Sequence, residues 1–211
     1  GVGLRASSYV WQPSFAQVNG GLRLMQTQDG HGDTGGETRI ANTKSTSVTG
    51  NGTLLLFPVS RFPFSASYDV SDSRASGELT ASNYLSKRLG LRQNYVPPEG
   101  NSSYTLSYDR SAIESSSFGT DIARSLALAA TRYSGPHSFS FNGSRYDNTH
   151  GSDNSSLSRY QINHGYRPEA RLSVDSFANY SVNDYRVGSA GVAPLDNQSR
   201  FLQLNTFGSW Q

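Results

Sequence analysis

The chain has 211 residues and a net charge of +2 at pH 7; 35% of its residues are hydrophobic, 16% charged and 11% aromatic. The scattered charge argues against a nucleic-acid-binding surface, and the absence of cysteine excludes disulfides, thiolate metal sites and cysteine nucleophiles. The hydrophobic share is below the roughly 45–50% typical of globular proteins with glycine counted. A chain poor in charge and rich in Ser, Gly, Asn and Tyr is typical of all-β proteins.

Apolar and polar residues alternate along most of the chain, which predicts strands with one apolar face. A short strand is predicted at 4–10, followed by alternating segments at 14–27, 43–57 and 62–71. In the third of these, Phe64, Tyr68 and Val70 lie on one side, and Ser65 and Asp69 lie on the other. Further alternating segments lie near 84–95, 104–109, 120–133, 138–143, 159–166, 172–182 and 202–210.

The segment 120–133 (TDIARSLALAATRY) also carries good helix formers, but its leucines fit period two and its neighbours are strands, so a strand is predicted. Lys87 and Arg124 share a side with leucines. Either a bulge shifts the register there, or these two residues lie near a membrane interface and snorkel. The predicted strands run about 11–14 residues, nearer the roughly 9–11 that a membrane-crossing strand needs than the 5–6 usual in globular proteins.

The connections alternate in kind, which predicts a transmembrane β-barrel. Short connections are predicted near 11–14, 57–63, 95–103, 133–137 and 166–171, and long polar loops near 28–42, 73–78, 110–120, 146–156 and 184–199. Seven of the eight prolines fall at the short connections, as expected of tight turns outside a sheet ladder. The predicted interfacial aromatic belt is Trp11, Phe57, Phe62, Phe64, Tyr95, Tyr133, Tyr166 and Trp210.

The fold class predicted from these observations is an all-β, antiparallel, up-and-down transmembrane β-barrel with about 10–12 strands in this chain. Residues 1–211 form either one barrel domain or a section of a larger barrel, with 1–13 as a lead segment or a preceding strand. The stretch LLLFPVSRFPFSASYDVSDSR (54–74) resembles a hairpin of Gram-negative, porin-like outer-membrane barrels, including those that sheath multihaem cytochromes. This resemblance implies an outer-membrane location.

The predicted function is a pore or a sheath, through which solutes pass or in which a partner protein lies, with no catalysis, metal or cofactor. The expected partners are the outer-membrane lipid bilayer and a periplasmic or enclosed protein, but not nucleic acid. A polar interior tolerates charge, whereas a lipid-facing surface does not. The residues predicted to line that interior are Arg23, Asp69, Arg88, Arg92, Asp109, Arg159 and Asp175.

Two other classes of function are open at this point. An extracellular β-sandwich or fibre module would bind a partner through shorter strands with turns of one kind at both ends. A barrel enzyme would carry a site in the long loops, with Asp72, Asp147, His150 and Asp153 as its candidates. His31, Asp33 and Glu37 in the Gly-rich stretch 29–37 could hold a metal, although a solvated loop is the better interpretation.

Overall fold

The computed structural model describes residues 1–29, 43–77, 81–117, 119–169, 171–189 and 192–210. These residues form eleven strands in one sheet. The strands are β1 (Val2–Val10), β2 (Ala16–Asp29), β3 (Thr43–Leu56), β4 (Phe64–Gly77), β5 (Ala81–Tyr95), β6 (Ser102–Ser115), β7 (Gly119–Ser134), β8 (His137–His150), β9 (Asp153–Glu169), β10 (Leu172–Ser189) and β11 (Val192–Trp210).

Each strand pairs antiparallel with the strands before and after it in sequence, so the all-β, up-and-down prediction is confirmed. The segment with helix-forming residues is strand β7, and the short N-terminal strand is present as β1. Among the described strands, β1 pairs only with β2 and β11 only with β10, so the sheet is open at both edges. Within the described part of the chain, no helix is long and apolar enough to cross a membrane.

Strand register places most of the apolar residues of the strands on one side of the sheet, which we call the apolar face. Residues paired directly across antiparallel strands share a face. One such row runs through Val18, Leu54, Ala66, Leu91, Tyr108 and Leu126 on strands β2 to β7. The adjacent residues on each strand form the polar face, where Asn19, Thr53 and Ser67 are paired.

The apolar face has almost no protein packed against it. Ala16 and Ala112 are the only buried hydrophobic residues in the part of the chain that the structure describes. In contrast, Leu126 is 49% exposed, Ile162 50% and Leu204 67%. The apolar face is therefore an extended hydrophobic surface that no other part of the described chain covers.

The apolar residues form a band that crosses the strands at an angle. The row of paired residues that starts at Ala16 on β2 crosses nine strand intervals and arrives at Leu202 on β11. On β2 the band runs from Ala16, at its short-turn margin, to Leu24; on β11 it runs from Leu202 to Trp210, at its short-turn margin. The short-turn margin on β11 therefore lies eight residues away from the row that marks it on β2. At about 3.4 Å per residue and 4.8 Å per strand, the strands tilt about 30° from the normal of the band, close to the tilt of membrane barrels.

Most of the predicted long loops are wrong, because the strands continue through them. Residues 73–78, 110–120, 146–156 and 184–199 lie largely in strands, and only Gly151 and Ser152 separate β8 from β9. At these ends Ser, Asn and Thr occupy both faces of the strands, and their backbones still pair with those of the neighbouring strands. Residues 30–42 of the remaining predicted loop, which include His31, Asp33 and Glu37, lie outside the described residues.

Polar contacts between side chains and backbone hold these long hairpin ends together. The Ser152 hydroxyl donates to the Gly188 carbonyl at 2.8 Å, and the Gly188 N–H donates to Asp153 Oδ1 at 2.9 Å. Arg186 Nε lies 3.1 Å from Asp196 Oδ1 across the β10–β11 hairpin. The sequence pattern signals polarity at these ends, but not whether the polar segment is loop or strand.

The register tests the first of the two explanations for Lys87 and Arg124, a bulge. Lys87 pairs with Val70 and Ala112, and Arg124 pairs with Arg110 and Asp147, without a register shift on either side. A bulge therefore does not explain their position, and both belong to the apolar face. Register shifts occur instead along β10, near its two ends.

Candidate functional site

All seven residues predicted to line an interior lie on the polar face. Their register partners on neighbouring strands are on the same face and are mostly small or polar, as in the pairs Arg23–Thr49, Arg92–Ser107 and Asp175–Gly165. The residues placed there are Arg23, Asp69, Arg88, Arg92, Asp109, Arg159 and Asp175. The register therefore puts the seven residues on one face of the sheet, which agrees with the alternation along each strand.

Four of these residues form a charge cluster of mixed sign around Gly90. Asp69 is the register partner of Arg88, and Asp109 is the register partner of Gly90, which separates Arg88 from Arg92 on β5. A Cβ on Gly90 would lie 3.2 Å from Asp109 Oδ1, so this carboxylate leans over the glycine. Ser67 Oγ lies nearer, at 2.8 Å from that position, so the missing side chain leaves room for the Asp109 carboxylate and the Ser67 hydroxyl. We name Asp69, Arg88, Arg92 and Asp109 the interior charge cluster.

The other predicted interior residues lie away from this cluster. Asp175 Oδ1 lies 3.5 Å from the Arg167 guanidinium, and both side chains are more than half exposed. An exposed ion pair of this kind contributes about 0–1 kcal/mol. Arg23 and Arg159 lie on β2 and β9, so the structure does not bring the seven residues into one site.

Sequence reasoning missed a second feature of the polar face, a group of aromatic residues on its C-terminal strands. Phe177 pairs with Asn205, Phe201 with Ser181, and Phe207 with Asp175. Phe201 is 55% exposed and Phe207 is 67% exposed. Each of these phenylalanines has the same parity as polar residues of its strand, which is a signal in the sequence for a place on the polar face. The signal is weak because the residues of the other parity on the same strands are also apolar.

The residues of the predicted aromatic belt lie at the short-turn end of the sheet, and one of those in strands is on the polar face. Phe15 connects Trp11 to Phe57, with ring centroids 5.7 Å and 5.2 Å away, and Phe62 stacks on Tyr95 at 4.5 Å. Phe64, Tyr166 and Trp210 lie on the apolar face by register. Tyr133 also lies at this end, but it pairs with Ser138 on the polar face.

A cluster of aromatic and imidazole rings extends this belt over β8 and β9. His137 Nδ1 lies 3.0 Å from His164 Nε2, and the two rings are nearly parallel at 15°. His137 stacks on Tyr166 at 4.7 Å and His164 on Phe139 at 4.5 Å. The turn at 133–137 connects β7 to β8, so the sequence pattern carries no signal for these ring contacts, which follow from the register between β8 and β9.

The candidate residues for an enzyme are not assembled into one site. Asp72 and Asp147 lie on the apolar face, and they contact Arg74 at 2.9 Å and Arg145 at 3.0 Å. His150 and Asp153 lie opposite each other on the polar face. His150 hydrogen-bonds Asp121 there. No group of three or more His, Cys, Asp or Glu side chains in the described ranges is arranged to hold a metal.

Comparison with known proteins adds no relative to these observations. No protein-family model, curated protein or solved structure matches the chain. Three features of the structure bear on function: an apolar band with almost no protein packed against it, a belt of aromatic rings at one margin of that band, and a polar face with charges of both signs.

The two tryptophans give a direct test of where the belt lies. Trp11 and Trp210 are the only tryptophans in the sequence, they are 80% and 70% exposed, and both lie at the short-turn end. Because an interfacial indole sits at headgroup level, lipids brominated near the headgroup are expected to quench emission about twofold more than lipids brominated near the chain ends. Trp11→Phe and Trp210→Phe assign the signal, and equal quenching at both depths would contradict a belt.

Proposed function

We propose that this chain forms the wall, or a section of the wall, of a β-barrel in the outer membrane of a Gram-negative bacterium, acting as a pore or as a sheath around a partner protein. The apolar face contacts lipid and the polar face lines the interior. The chain carries no catalysis of its own in this proposal. The observation that carries it is the continuous, exposed apolar band on a sheet that has almost no core among its described residues.

The height of the band supports a bilayer as its environment. On β7, Arg124 and Arg132 bound the apolar residues Leu126, Leu128 and Ala130. Their eight-residue separation corresponds to about 27 Å along a strand, or about 23 Å along the band normal at the tilt derived above. The apolar band of an outer-membrane barrel is about 25 Å tall.

Strand direction constrains how such a wall closes. In an up-and-down sheet of eleven strands, β1 and β11 run in the same direction. Their free edges therefore cannot pair with each other in antiparallel fashion. An all-antiparallel wall closes when an odd number of further strands lies between them, which gives the even total of bacterial barrels.

A β-sandwich is the weaker alternative. A sandwich buries the inner face of one sheet against a second sheet about 10 Å away. The described residues form a single sheet, and its strands of 14–19 residues after β1 are long for a sandwich.

A sheath is supported by the aromatic residues of the polar face. A water-filled interior favours polar side chains, whereas Phe177, Phe201 and Phe207 present apolar surface on that face. Aromatic residues are enriched where proteins contact each other. A partner protein in the interior would cover them, and a permeant solute would not.

Partitioning tests the proposal. The chain is expected to require detergent or lipid for solubility, and to migrate differently on a gel when unheated, because a folded membrane sheet resists denaturation by the gel detergent. The control is Ala129→Pro, which removes a backbone donor from the middle of β7 and disrupts pairing; it should abolish the unheated form. A chain that is soluble and monomeric in plain buffer would contradict the proposal.

A further inference from the structure

Four cations follow the margin of the apolar band that lies away from the short turns. Lys87, Arg110, Arg124 and Arg145 lie on β5, β6, β7 and β8, one on each successive strand, and all are on the apolar face. We call this group the marginal basic stripe. Its positions shift from strand to strand in the same direction as the band, so the four cations lie at similar heights.

The middle of the stripe places two arginines directly opposite each other. Arg110 and Arg124 are register partners and both are exposed. Like charges directly opposite each other on one face destabilise a sheet. Among the described residues, the ion pairs on this face include Lys87 and Arg145 but neither of these arginines.

Two acidic residues lie near the stripe, and neither is on the side that faces the band. Lys87 Nζ is 3.9 Å from Glu114 Oε1, and Arg145 is 3.0 Å from Asp147 Oδ1. Glu114 pairs with Leu85 beyond the stripe, whereas Asp147 lies within the stripe as the register partner of Arg124. The side of the stripe that faces the band therefore carries only the positive groups.

We propose that the marginal basic stripe binds the phosphate groups of a phosphorylated glycolipid headgroup of the lipid A class. Guanidinium groups bind phosphate oxygens through two parallel hydrogen bonds, and a phosphate between Arg110 and Arg124 would relieve their repulsion. The stripe lies where the headgroups of lipids covering the band would lie. At this margin the chain runs beyond the band as long paired strand ends before it returns, as from Tyr180 to Leu202, whereas at the other margin it returns from Tyr166 to Leu172. Since the longer connections of outer-membrane barrels are extracellular, this margin faces the outer leaflet. The inference rests on the function proposed above.

The test measures binding of diphosphoryl lipid A and of monophosphoryl lipid A to the detergent-solubilised protein by native mass spectrometry. The wild-type protein is expected to prefer the diphosphoryl form. Arg110→Gln combined with Arg124→Gln should weaken binding of that form about tenfold to a hundredfold, because hydrogen bonds to charged groups are lost. Arg110→Lys with Arg124→Lys keeps the charge without the bidentate geometry. Its affinity for the diphosphoryl form should lie between that of the wild type and that of the double glutamine variant.

The matched control is Arg5→Gln with Arg61→Gln, which removes the same charge from the polar face and from a short turn. Its affinity for diphosphoryl lipid A should equal that of the wild type. Equal binding by the stripe variant and this control, or equal binding of both lipids by the wild type, would overturn the inference. The band that migrates differently in the unheated gel is measured for the wild type and for every variant. Its absence from the wild type would contradict the barrel. Its presence without a preference for diphosphoryl lipid A would contradict the stripe alone.

Discussion

Leu128→Arg is expected to lower the free energy of unfolding in a lipid bilayer by about 2–4 kcal/mol, the cost of an arginine at the midplane of a lipid-facing strand. Leu128 is the middle apolar residue of β7 between Arg124 and Arg132, and it is 42% exposed. The measurement is urea-induced unfolding in vesicles, with folded protein quantified by its unheated gel migration.

Ala127→Arg is the matched control, because it introduces the same side chain one residue away. Ala127 pairs with Ser107 and Ser144 on the polar face, where an arginine remains hydrated. A loss below about 1 kcal/mol is expected there, in the range of ordinary surface substitutions. If both variants lose similar stability, or if Ala127→Arg loses more, the apolar face is not the one in contact with lipid.

Arg88→Glu is expected to raise the cation-over-anion permeability ratio of the assembled barrel about threefold or more. The substitution changes the charge of the interior charge cluster by two units, beside Asp69 and Asp109. A unit charge a few ångströms from a passing ion contributes about 1 kcal/mol even in water, and charges that line a pore tune its selectivity. Reversal potentials across a planar bilayer with a salt gradient measure this ratio.

Lys44→Glu provides the control for permeability. Lys44 lies on the apolar face of β3 beyond the band, opposite Ser76, so the same change in charge should leave the ratio unchanged. An equal shift in both variants would contradict an interior role for the polar face. No conductance in either protein, with a stable unheated gel form, would favour a partner-filled sheath over an open pore.

Period-two alternation was sufficient to predict the strands and their faces. Leu126 and Leu128 share a face with Leu106 and Tyr108, as their parity predicts, because side-chain direction in a strand alternates with each residue. By the same parity, all seven charged interior candidates lie on the polar face. Tyr133, which was included in the predicted belt for its position at a strand end, has the parity of the polar face and pairs with Ser138 there.

Strand ends were predicted less well than strand centres. The segment 184–199 contains few apolar residues, which predicts a loop, but Arg186 pairs with Asp196 and Asp184 with Gln198. Outside the apolar band neither face needs apolar residues, so the alternation that signals a strand fades while the backbone pairing continues.

The sequence by itself determined that the chain is all-β, which side chains share a face, and where the aromatic end of the sheet lies, because each depends on local periodicity and turn residues. Only the tertiary structure decided the register between strands. Register aligns Arg110 with Arg124, places His137 beside His164, gathers charges around Gly90 and sets the tilt of the band. These relations depend on hydrogen bonds between strands, and the pattern along one strand carries no information about its offset from the next.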